Sequence, residues 1–536
     1  GATISVFPQS AFFGGCDNLA AVADTGELAI DAIGPVELDA NFGRGPGARG
    51  ARQNPISDKT MSQSHQPDIA GIESARKSRS RAGDRWGISY SWRVESAGRS
   101  RRLPLSSPRW NLPSPHRPGA LPCRRRDACL SYRGIEFTEA SSHNWKIYSA
   151  DAAELSYKGR WDDDHTSWWS VPGLKFGFTG KEVGITFGPQ TSNGVLVAYR
   201  INGEDWQFSN ITTNATHLLV SPSTEGVDLT TPISPSTFEL RVTNWAYGVQ
   251  VQSVHVEAGA SLIKLKDYNR RIEVIGDSLS SGMYGTLEGL SSYAYGVAAG
   301  LGDTEYSVTA YPGICLTDQE CWGNPRGQTY QWYHTSDTGG RATNIYGTNP
   351  PLWDFSKHPA ADIVVINLGT NDNNTANNVT NEDYYNSYIE LIEGVHNVWP
   401  KAQIIISALW NGFGKSGNTY VQGPAFVTEI WDVYKYFNSP SYLSSSNNCP
   451  SRNPQKTWLP PCKPSRPTAP FVHYFNTTGI LQHNDIGPLW HPTDVGYIKV
   501  ASHLMQYINL KFGWEFKATG PEVFHDTLYW NDQDSY

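Results

Sequence analysis

The sequence of 536 residues predicts an α/β fold in which a three-layer domain with a parallel sheet follows an antiparallel β-sandwich. Three observations lead to this prediction. Residues 1–135 are rich in Arg, Ser, Pro and Gly, residues 140–262 contain short β-prone runs between turn signals, and residues 268–515 alternate β-like runs with helical patterns. We therefore predict a disordered leader, a β-sandwich accessory domain, an α/β domain and a C-terminal tail over residues 516–536.

The leader has a composition that does not favour a folded core. Arginine-rich stretches such as Arg76–Arg81 and Arg124–Arg126 lie among serines, prolines and glycines. Such a segment buries too little apolar surface to offset the entropy lost on ordering it. We expect residues 1–135 to be disordered, or to be translated sequence outside the mature protein, rather than a basic interaction tail. A charged-then-apolar secretory signal with a clear cleavage site is not evident there.

The second segment has the strand spacing of an antiparallel sandwich. Asn202-Gly203 is a typical hairpin turn, and we find no nucleophile–base pair in this region. The predicted strands are Ala153–Tyr157, Gly173–Phe178, Glu182–Phe187, Val195–Tyr199, His217–Val220, Thr237–Val242 and Val249–Val256.

The third segment predicts a parallel sheet with helices on both faces. Asp362–Leu368 is a near-continuous apolar run, as expected of a strand buried on both sides. Other β-like runs cover Ile272–Ile275, Tyr306–Ala310 and Ala402–Leu409. Helical spacing follows from Tyr384 to Val395, and a last helix begins with Thr493 as its expected N-cap.

Four short blocks at predicted strand ends or helix starts carry the chemistry. They are Gly276-Asp277-Ser278-Leu279, a glycine at Gly313, Gly369-Thr370-Asn371-Asp372, and His491 before the last helix. Serine, glycine, asparagine and histidine in this order resemble the four blocks of the SGNH (GDSL) hydrolases. The resemblance implies a three-layer SGNH domain in which Ser278 is the nucleophile and His491 the base. It also implies an oxyanion hole formed by the N–H of Ser278, the N–H of Gly313 and the side-chain amide of Asn371.

The chemistry requires these residue types. A serine hydroxyl is a weak nucleophile until a base takes its proton, so Ser278 needs His491 within hydrogen-bonding reach. Attack on an ester creates an oxyanion, which preorganised donors must stabilise. The motif differs from the nucleophile elbow of the α/β-hydrolases, which would require a glycine where Ser280 stands.

The sequence leaves several candidates for the group that orients His491. Most SGNH hydrolases carry an aspartate three residues before the histidine, where this chain has Pro488. Asp485 is a candidate for orienting the histidine, although it lies three residues too early. Asp494 follows the histidine and fits equally well as a first-turn helix residue. A backbone carbonyl can also accept from Nδ1–H.

A second resemblance covers about residues 145–513. Gly159-Arg160-Trp161, a sandwich of this length and its direct lead into Gly276-Asp277-Ser278 are similar to carbohydrate esterase family two. Members of that family join a jelly-roll-like domain to an SGNH domain and remove acetyl groups from plant-wall polysaccharides. In that family a backbone carbonyl orients the histidine, so Pro488 fits the pattern.

Several tryptophans lie on predicted loops near the four blocks. Trp322, Trp410 and Trp490 are candidates for stacking on sugar rings, as is Trp332, with core packing as the alternative for each. His483 and His491 have no matching Cys or His pair at metal-ligand spacing. We therefore expect no metal and no cofactor.

Composition and short motifs bear on partners and location. A net charge of −8 and a pI near 6.0 give no ground for a nucleic-acid partner. The sequence contains no run of about eighteen apolar residues, so we expect no membrane span. Five N-glycosylation sequons, at Asn210, Asn214, Asn373, Asn378 and Asn476, favour secretion.

Four cysteines near the site also favour secretion, because they lie in two closely spaced pairs. Cys315 lies close to Cys321, and Cys449 lies close to Cys462, so either pair could close a loop by a disulfide. Four cysteines allow three pairings, and sequence does not choose among them.

The sequence thus predicts a secreted, monomeric serine esterase that deacetylates xylan, mannan or glucomannan. Two alternatives stay open: a lipid or aryl esterase with the same fold, and a glycan-binding protein with an inactive hydrolase domain.

Overall fold

The computed structural model describes residues 135–137, 144–227, 235–245, 247–445, 456–461 and 469–523. The predicted leader up to residue 134, the last part of the predicted tail, and the Cys449–Cys462 pair lie outside these residues.

The first part of the described chain is an antiparallel β-sandwich, as predicted. One sheet has the strand order β1-β8-β5-β10-β2, and the other has the order β11-β4-β9-β6-β7, with β3 paired to β4. The strands are β1 (Ile135–Phe137), β2 (Trp145–Ser149), β3 (Ser156–Lys158), β4 (Gly173–Phe178), β5 (Val183–Phe187), β6 (Val195–Ile201), β7 (Gln207–Ile211), β8 (Ala215–Val220), β9 (Ser236–Val242), β10 (Val251–Glu257) and β11 (Leu262–Ile263).

The sandwich core follows the period of two that strands impose on their side chains. Alternate residues Val183, Ile185 and Phe187 of β5 are buried in it. They share the core with alternate residues of β4 in the other sheet, Leu174, Phe176 and Phe178. This alternation is what made β4 and β5 detectable in the sequence.

Strand β7 was missed because its sequence, Gln-Phe-Ser-Asn-Ile, has little β propensity. It is nevertheless the hairpin partner of β6, with Tyr199 opposite Gln207. Asn202 and Gly203 both have positive φ, as the predicted turn requires, but the loop continues to Trp206. Tertiary pairing therefore sets this strand, not its own residues.

The second part is an α/β domain with a five-stranded parallel sheet in the order β13-β12-β14-β15-β18. Its strands are β12 (Arg270–Gly276), β13 (Thr304–Ala310), β14 (Ile363–Asn367), β15 (Gln403–Ser407) and β18 (Val472–Phe475), with a separate hairpin of β16 (Phe413–Ser416) and β17 (Thr419–Gln422). Its helices are α1 (Ser278–Ser281), α2 (Tyr293–Leu301), α3 (Gln328–Gln331), α4 (Gly340–Tyr346), α5 (Asn381–Val398), α6 (Val427–Phe437), α7 (Pro440–Ser444) and α8 (Asp494–Phe512).

The parallel sheet is buried on both faces, which confirms the three-layer prediction. Ile363 and Val365 of β14 belong to the core shared with α2 and α8. Val364 and Ile366 belong to the opposite core, shared with α5 and α6. A strand covered on both sides needs apolar residues at every position, which explains the unbroken apolar run in the sequence.

The sandwich covers the edge of the parallel sheet at β13. Ser170 forms an isolated antiparallel bridge with Val308, and its Oγ donates to the carbonyl of Ala310 over 2.8 Å. The hydroxyl of Tyr306 donates to the carbonyl of Val171 over 3.0 Å. An exposed edge strand has unpaired backbone groups, so this contact gives β13 partners that the sheet itself lacks.

Candidate active site

Three of the four predicted blocks meet at the carboxyl edge of the parallel sheet. Gly276, the last residue of β12, lies opposite Ala310 of β13 and Asn367 of β14. Ser278, Gly313 and Asn371 follow these strand ends by two to four residues. Parallel sheets in α/β folds collect their ligands at this edge.

The turn into α1 holds Ser278 in a tight local structure. A Cβ on Gly276 would lie 2.0 Å from Ser280 Oγ, so only glycine allows the helix to start this close to the strand. Asp277 is the N-cap, and its Oδ1 accepts from the N–H of Leu279 over 2.9 Å. Ser278 is the first residue of α1, so its N–H has no acceptor within the helix and can face a ligand.

The fourth block reaches the same place from the loop before α8. His491 Nε2 lies 2.8 Å from Ser278 Oγ, which is a hydrogen bond between residues 213 positions apart. His491 Nδ1 lies 2.9 Å from the carbonyl oxygen of Leu489. With a proton on Nδ1, the imidazole donates to Leu489 and accepts from Ser278, which is the tautomer a general base needs. The ring of Tyr284 meets the imidazole edge-on, with centroids 5.0 Å apart.

An unusual turn brings the Leu489 carbonyl to the histidine. Leu489 and Trp490 both have left-handed backbones, with φ of 48° and 63°. Such conformations cost non-glycine residues about 1–3 kcal/mol each and persist only where the surroundings hold them. Here the N–H of Gly487 donates to the carbonyl of His491 over 2.7 Å, and the N–H of Thr493 donates to the carbonyl of Asp485 over 2.8 Å. Thr493 also caps α8 as predicted, so both ends of the turn are held.

Asp485 does not occupy the position proposed for it beside the histidine. Its buried carboxylate accepts from the N–H of Gln482 over 2.8 Å and pairs with Lys499 Nζ over 2.7 Å. Of the alternatives that the sequence left open, the structure places a backbone carbonyl, that of Leu489, beside His491 Nδ1 and not the Asp485 carboxylate. The resemblance implied a backbone carbonyl, but a main-chain oxygen has no residue-type signature, so the sequence could not say which residue provides it.

The other predicted oxyanion residues lie on two loops that are bonded together. Asn371 Nδ2 donates to the carbonyl of Ile314 over 2.8 Å, and an amide nitrogen has a second N–H to offer. Asp372 accepts from the N–H groups of Leu316 and Thr317 over 2.8 Å and 3.0 Å. Gly313 has a φ of 78°, where a side chain would be strained. The Asn371 block thus holds the Gly313 loop in place.

A disulfide closes the Gly313 loop. Cys315 and Cys321 are bonded, which is one of the pairings that the sequence allowed. The bridge ties the residues after Gly313 to Trp322, whose Cβ lies 3.0 Å from a Cβ built on Gly313. Trp322 is therefore held next to the candidate oxyanion hole.

The predicted tryptophans separate into two exposed and two buried side chains. Trp322 is 58% exposed and Trp490 is 65% exposed, and they flank Gly313 and His491 respectively. Trp410 is only 2% exposed and packs edge-on against Tyr293, so its prediction as a substrate-binding residue was wrong. Trp332 is also fully buried. A position after a strand predicts a loop, but it does not say whether the side chain turns inward.

A hairpin that the sequence did not predict extends the Trp490 side of the site. Strands β16 and β17 follow Gly412, which packs against the indole of Trp490: a Cβ on Gly412 would lie 2.4 Å from Cδ1 of Trp490. Tyr420 at the start of β17 is half exposed and stacks on His483, with centroids 3.7 Å apart. The hairpin is short and polar, so it had no alternating pattern to find.

Two further findings concern the described residues only. Within them, no group of three or more His, Cys, Asp and Glu side chains is arranged to hold a metal ion. The helices found there include none with the length and apolar character needed to cross a bilayer.

The buried carboxyl of Asp277 gives a test of the nucleophile turn. Burial raises the pKa of Asp277 to about 7, with a further contribution from the nearby charge of Asp372. Because the folded pKa lies above the unfolded value of about 3.9, this group's contribution to stability is complete below about pH 4 and is lost as the pH rises through about 7. Asp277→Asn cannot ionise and can still cap Leu279. We expect its melting temperature, relative to wild type, to increase between about pH 4.5 and pH 8 in thermal unfolding experiments.

The exposed Asp205 supplies the control, since Asp205→Asn should leave the pH dependence of the melting temperature unchanged. Parallel curves for Asp277→Asn and wild type would contradict the raised pKa of Asp277.

The Leu489 carbonyl as orienter predicts that Asp485 is dispensable for turnover. Asp485→Asn keeps an acceptor for the N–H of Gln482 but loses the ion pair with Lys499. We expect a lower melting temperature and a kcat for an acetyl ester within about twofold of wild type. A fall of roughly 10⁴ in kcat, typical when a serine hydrolase loses a carboxylate that orients its histidine, would show that Asp485 acts on His491.

Comparison with known proteins follows the same division of the chain. Residues 274–436 match the GDSL-like lipase/acylhydrolase family. This range includes Ser278, Gly313 and Asn371 and ends before His491, which the fold brings back to Ser278. A comparison with curated protein sequences gives no match.

Solved structures of carbohydrate esterases have a similar fold, including a domain before the hydrolase domain. An active-site mutant of a family two carbohydrate esterase from Clostridium thermocellum is 21% identical, with a TM-score of 0.50 over 67% of this chain and 99% of that chain. An acetyl xylan esterase from the rumen bacterium Butyrivibrio proteoclasticus is 17% identical, with a TM-score of 0.50 over 69% and 99%. A family 2 enzyme plus carbohydrate binding domain from Corynascus thermopiles (Myceliophthora fergusii) is 19% identical, with a TM-score of 0.50 over 67% and 100%.

At these sequence identities the solved structures show a shared fold alone, and the match to the family model supports the assignment as an ester hydrolase. The predicted resemblance is confirmed: the C-terminal part of the chain is a GDSL-like lipase/acylhydrolase domain, and the protein is a carboxylic ester hydrolase.

Proposed function

We propose that the protein is a secreted esterase that removes O-acetyl groups from a plant-wall polysaccharide such as xylan, mannan or glucomannan. The observation that carries this proposal is the Ser278–His491 hydrogen bond at the sheet edge, with one exposed indole beside Gly313 and another on the residue before His491. The hydrogen bond supplies a serine nucleophile, and the indoles supply flat apolar surfaces for sugar rings.

The first half of the proposed reaction transfers the acetyl group to the enzyme. Ser278 Oγ attacks the acetyl carbonyl carbon while His491 Nε2 takes its proton. The new imidazolium is held by the hydrogen bond from Nδ1–H to the carbonyl of Leu489. When the tetrahedral intermediate breaks down, the bond from the carbonyl carbon to the sugar oxygen breaks, the imidazolium gives its proton to that oxygen, and an acetyl-Ser278 ester remains.

The oxyanion hole is proposed to consist of three N–H donors. The first is the N–H of Ser278 at the start of α1, and the second is the N–H of Gly313. The third is the Asn371 Nδ2–H that is not used by Ile314. Donors fixed by the surrounding bonds need not reorganise as charge develops, and removal of one such donor typically costs about 10²–10³ in rate.

The second half of the reaction releases acetate. A water molecule gives a proton to His491 Nε2 and attacks the carbonyl carbon of acetyl-Ser278. The same donors stabilise the second oxyanion, and the proton then returns to Ser278 Oγ as acetate leaves.

A polymeric sugar substrate is supported by the two exposed tryptophans and by the fold shared with carbohydrate esterases. Trp322 lies beside Gly313 and Trp490 lies beside His491, so a chain stacked on them would pass the nucleophile. Amphipathic rings of this kind offer contact area at low entropic cost.

Secretion is supported by the disulfide and the sequons. A disulfide such as Cys315–Cys321 persists in an oxidising compartment, whereas disulfides are rare in cytosolic proteins. Four of the five sequon asparagines, Asn210, Asn214, Asn378 and Asn476, are exposed and can accept a glycan.

Acetate release tests the proposed reaction. We expect the wild-type protein to release acetate from acetylated xylan or glucomannan, and to hydrolyse aryl acetates faster than aryl esters of longer acids. Ser278→Ala should lower both activities by at least about 10³, because no nucleophile remains. Preference for long acyl chains would favour a lipid esterase, and binding of the polysaccharide without any Ser278-dependent hydrolysis would favour a glycan-binding protein.

The indoles give a separate test of the polymeric substrate. We expect Trp322→Ala and Trp490→Ala to raise KM for acetylated polysaccharide roughly three- to tenfold, the effect of losing about 1 kcal/mol of stacking. KM for an aryl acetate should stay within about twofold in Trp322→Ala. Trp431 on α6 is also exposed and serves as the matched control, since Trp431→Ala should leave both KM values unchanged. Equal effects of all three variants would contradict a binding role for Trp322 and Trp490.

A further inference from the structure

The sandwich inserts one arginine into the interior of the hydrolase domain. Arg160 follows β3, and its Nη2 lies 3.2 Å from Glu273 Oε1 on β12. The side chains are only 2% and 4% exposed. Glu273 is five residues before Ser278 on the strand that leads directly to it. A residue of the accessory domain is therefore bonded to the strand that carries the nucleophile.

Glu273 also connects β12 to its surroundings. Its Oε1 accepts from Thr309 Oγ1 over 2.5 Å and from Trp332 Nε1 over 3.3 Å. Thr309 is the next-to-last residue of β13, which leads to Gly313. The carboxylate thus has donors from the sandwich, from the neighbouring strand and from the segment after α3.

The remaining hydrogen bonds of Arg160 connect it, through α3, to the Gly313 loop. Its Nη1 donates to the carbonyls of Trp332 and His334, over 2.5 Å and 3.2 Å, just after α3. At the other end of α3, the N–H of Gln328 donates to the carbonyl of Cys315 over 2.7 Å. Cys315 is two residues beyond Gly313, so α3 joins Arg160 to the loop that carries Gly313.

We propose that Arg160 is a positioning residue for ester hydrolysis, which fixes the nucleophile strand β12 relative to the Gly313 loop. The sandwich is then part of the framework of the active site and not only an accessory domain. The inference rests on ester hydrolysis by Ser278 and not on the identity of the polysaccharide.

The cost of a buried ion pair supports this role. Removing two charges from water is unfavourable, and replacement of such a pair by apolar residues is often neutral or stabilising. Stability alone therefore gives little reason for Arg160 and Glu273. What the pair does provide is geometry, because the planar guanidinium bonds β12 and the end of α3 in fixed directions, which a lysine cannot reproduce.

Lys158 on β3 is a second buried cation and serves as a comparison for Arg160. Lys158 also crosses from the sandwich, where its Nζ lies 2.8 Å from Glu305 Oε2 on β13. Glu305 is at the amino end of its strand, opposite Arg271, far along the sheet from Ser278. Lys158 thus resembles Arg160 in burial and in crossing the interface, but its Nζ bonds to Ser156, Asp267 and Glu305, none of which lies on the nucleophile strand or on α3.

The experiment compares Arg160→Met, Arg160→Lys, the double variant Arg160→Met/Glu273→Met, and Lys158→Met in the full chain. Three quantities are measured: the melting temperature, kcat and KM for an aryl acetate, and the rate at which a fluorophosphonate modifies Ser278, followed by mass spectrometry. We expect Arg160→Met to lower the melting temperature, because Glu273 is left buried without its partner, and to lower kcat about tenfold or more with KM within about twofold.

The double variant separates positioning from folding. It removes the unpaired charge, although Thr309 and Trp332 lose their acceptor, so we expect its melting temperature to rise above that of Arg160→Met while kcat and the modification rate of Ser278 stay about tenfold low. Arg160→Lys should fall between Arg160→Met and wild type in kcat. Lys158→Met should lose melting temperature but keep both rates within about twofold.

Three results would overturn the proposal. They are a wild-type kcat in folded Arg160→Met, a double variant that recovers kcat together with its melting temperature, and an equal loss of kcat in Lys158→Met. Absence of acetate release from polysaccharide contradicts the proposed function and leaves this test intact, because the aryl acetate and the modification of Ser278 report on the same residues independently.

Discussion

Gly276 pairs with Ala310 on one side and with Asn367 on the other, and the active site depends on this alignment. Because the three strands are parallel and end at the same level, the turns that follow them emerge side by side. The hydroxyl of Ser278 and the proposed oxyanion donors of Gly313 and Asn371 then need only short loops to converge. The opposite cores on the two faces of the sheet keep the strands in this alignment, so the packing of β14 and its neighbours is what holds the catalytic distances.

The histidine depends on a different kind of support. It lies on a loop, and its Nδ1 faces an uncharged main-chain oxygen where many serine hydrolases have a carboxylate. The hydrogen bonds that close the turn from Asp485 to Thr493 therefore take over the task of orientation. On the other side of the sheet the sandwich gives β13 its missing edge partner and places Arg160 in the interior. Catalytic geometry in this protein is thus shared among the sheet, one loop and a second domain.

The sequence was informative where function requires a particular residue at a particular point along the chain. Ser278, Gly313, Asn371 and His491 could be named because their order, at the ends of β-like runs and before a helix pattern, resembles the four SGNH blocks. Trp410 was predicted to bind substrate, but burial depends on which way a side chain turns after a strand, and its ring turns inward against Tyr293 of α2. The Leu489 carbonyl and strand β7 escaped notice for a related reason. Neither is marked by its own residue type, and both depend on backbone that the rest of the fold arranges.

The turn at Leu489 and Trp490 places two unrelated tasks on adjacent residues. One presents its carbonyl to the imidazole, and the other presents an exposed ring to solvent beside the site. Both have backbones that glycine or asparagine would adopt with less strain, yet either replacement at Trp490 would remove the ring. Under the proposed function, a substitution of Trp490 that changes specificity would therefore also disturb the alignment of the base. New preferences for substrate should arise more readily beside Gly313, around Trp322, where the Cys315–Cys321 bridge holds the loop independently of the histidine.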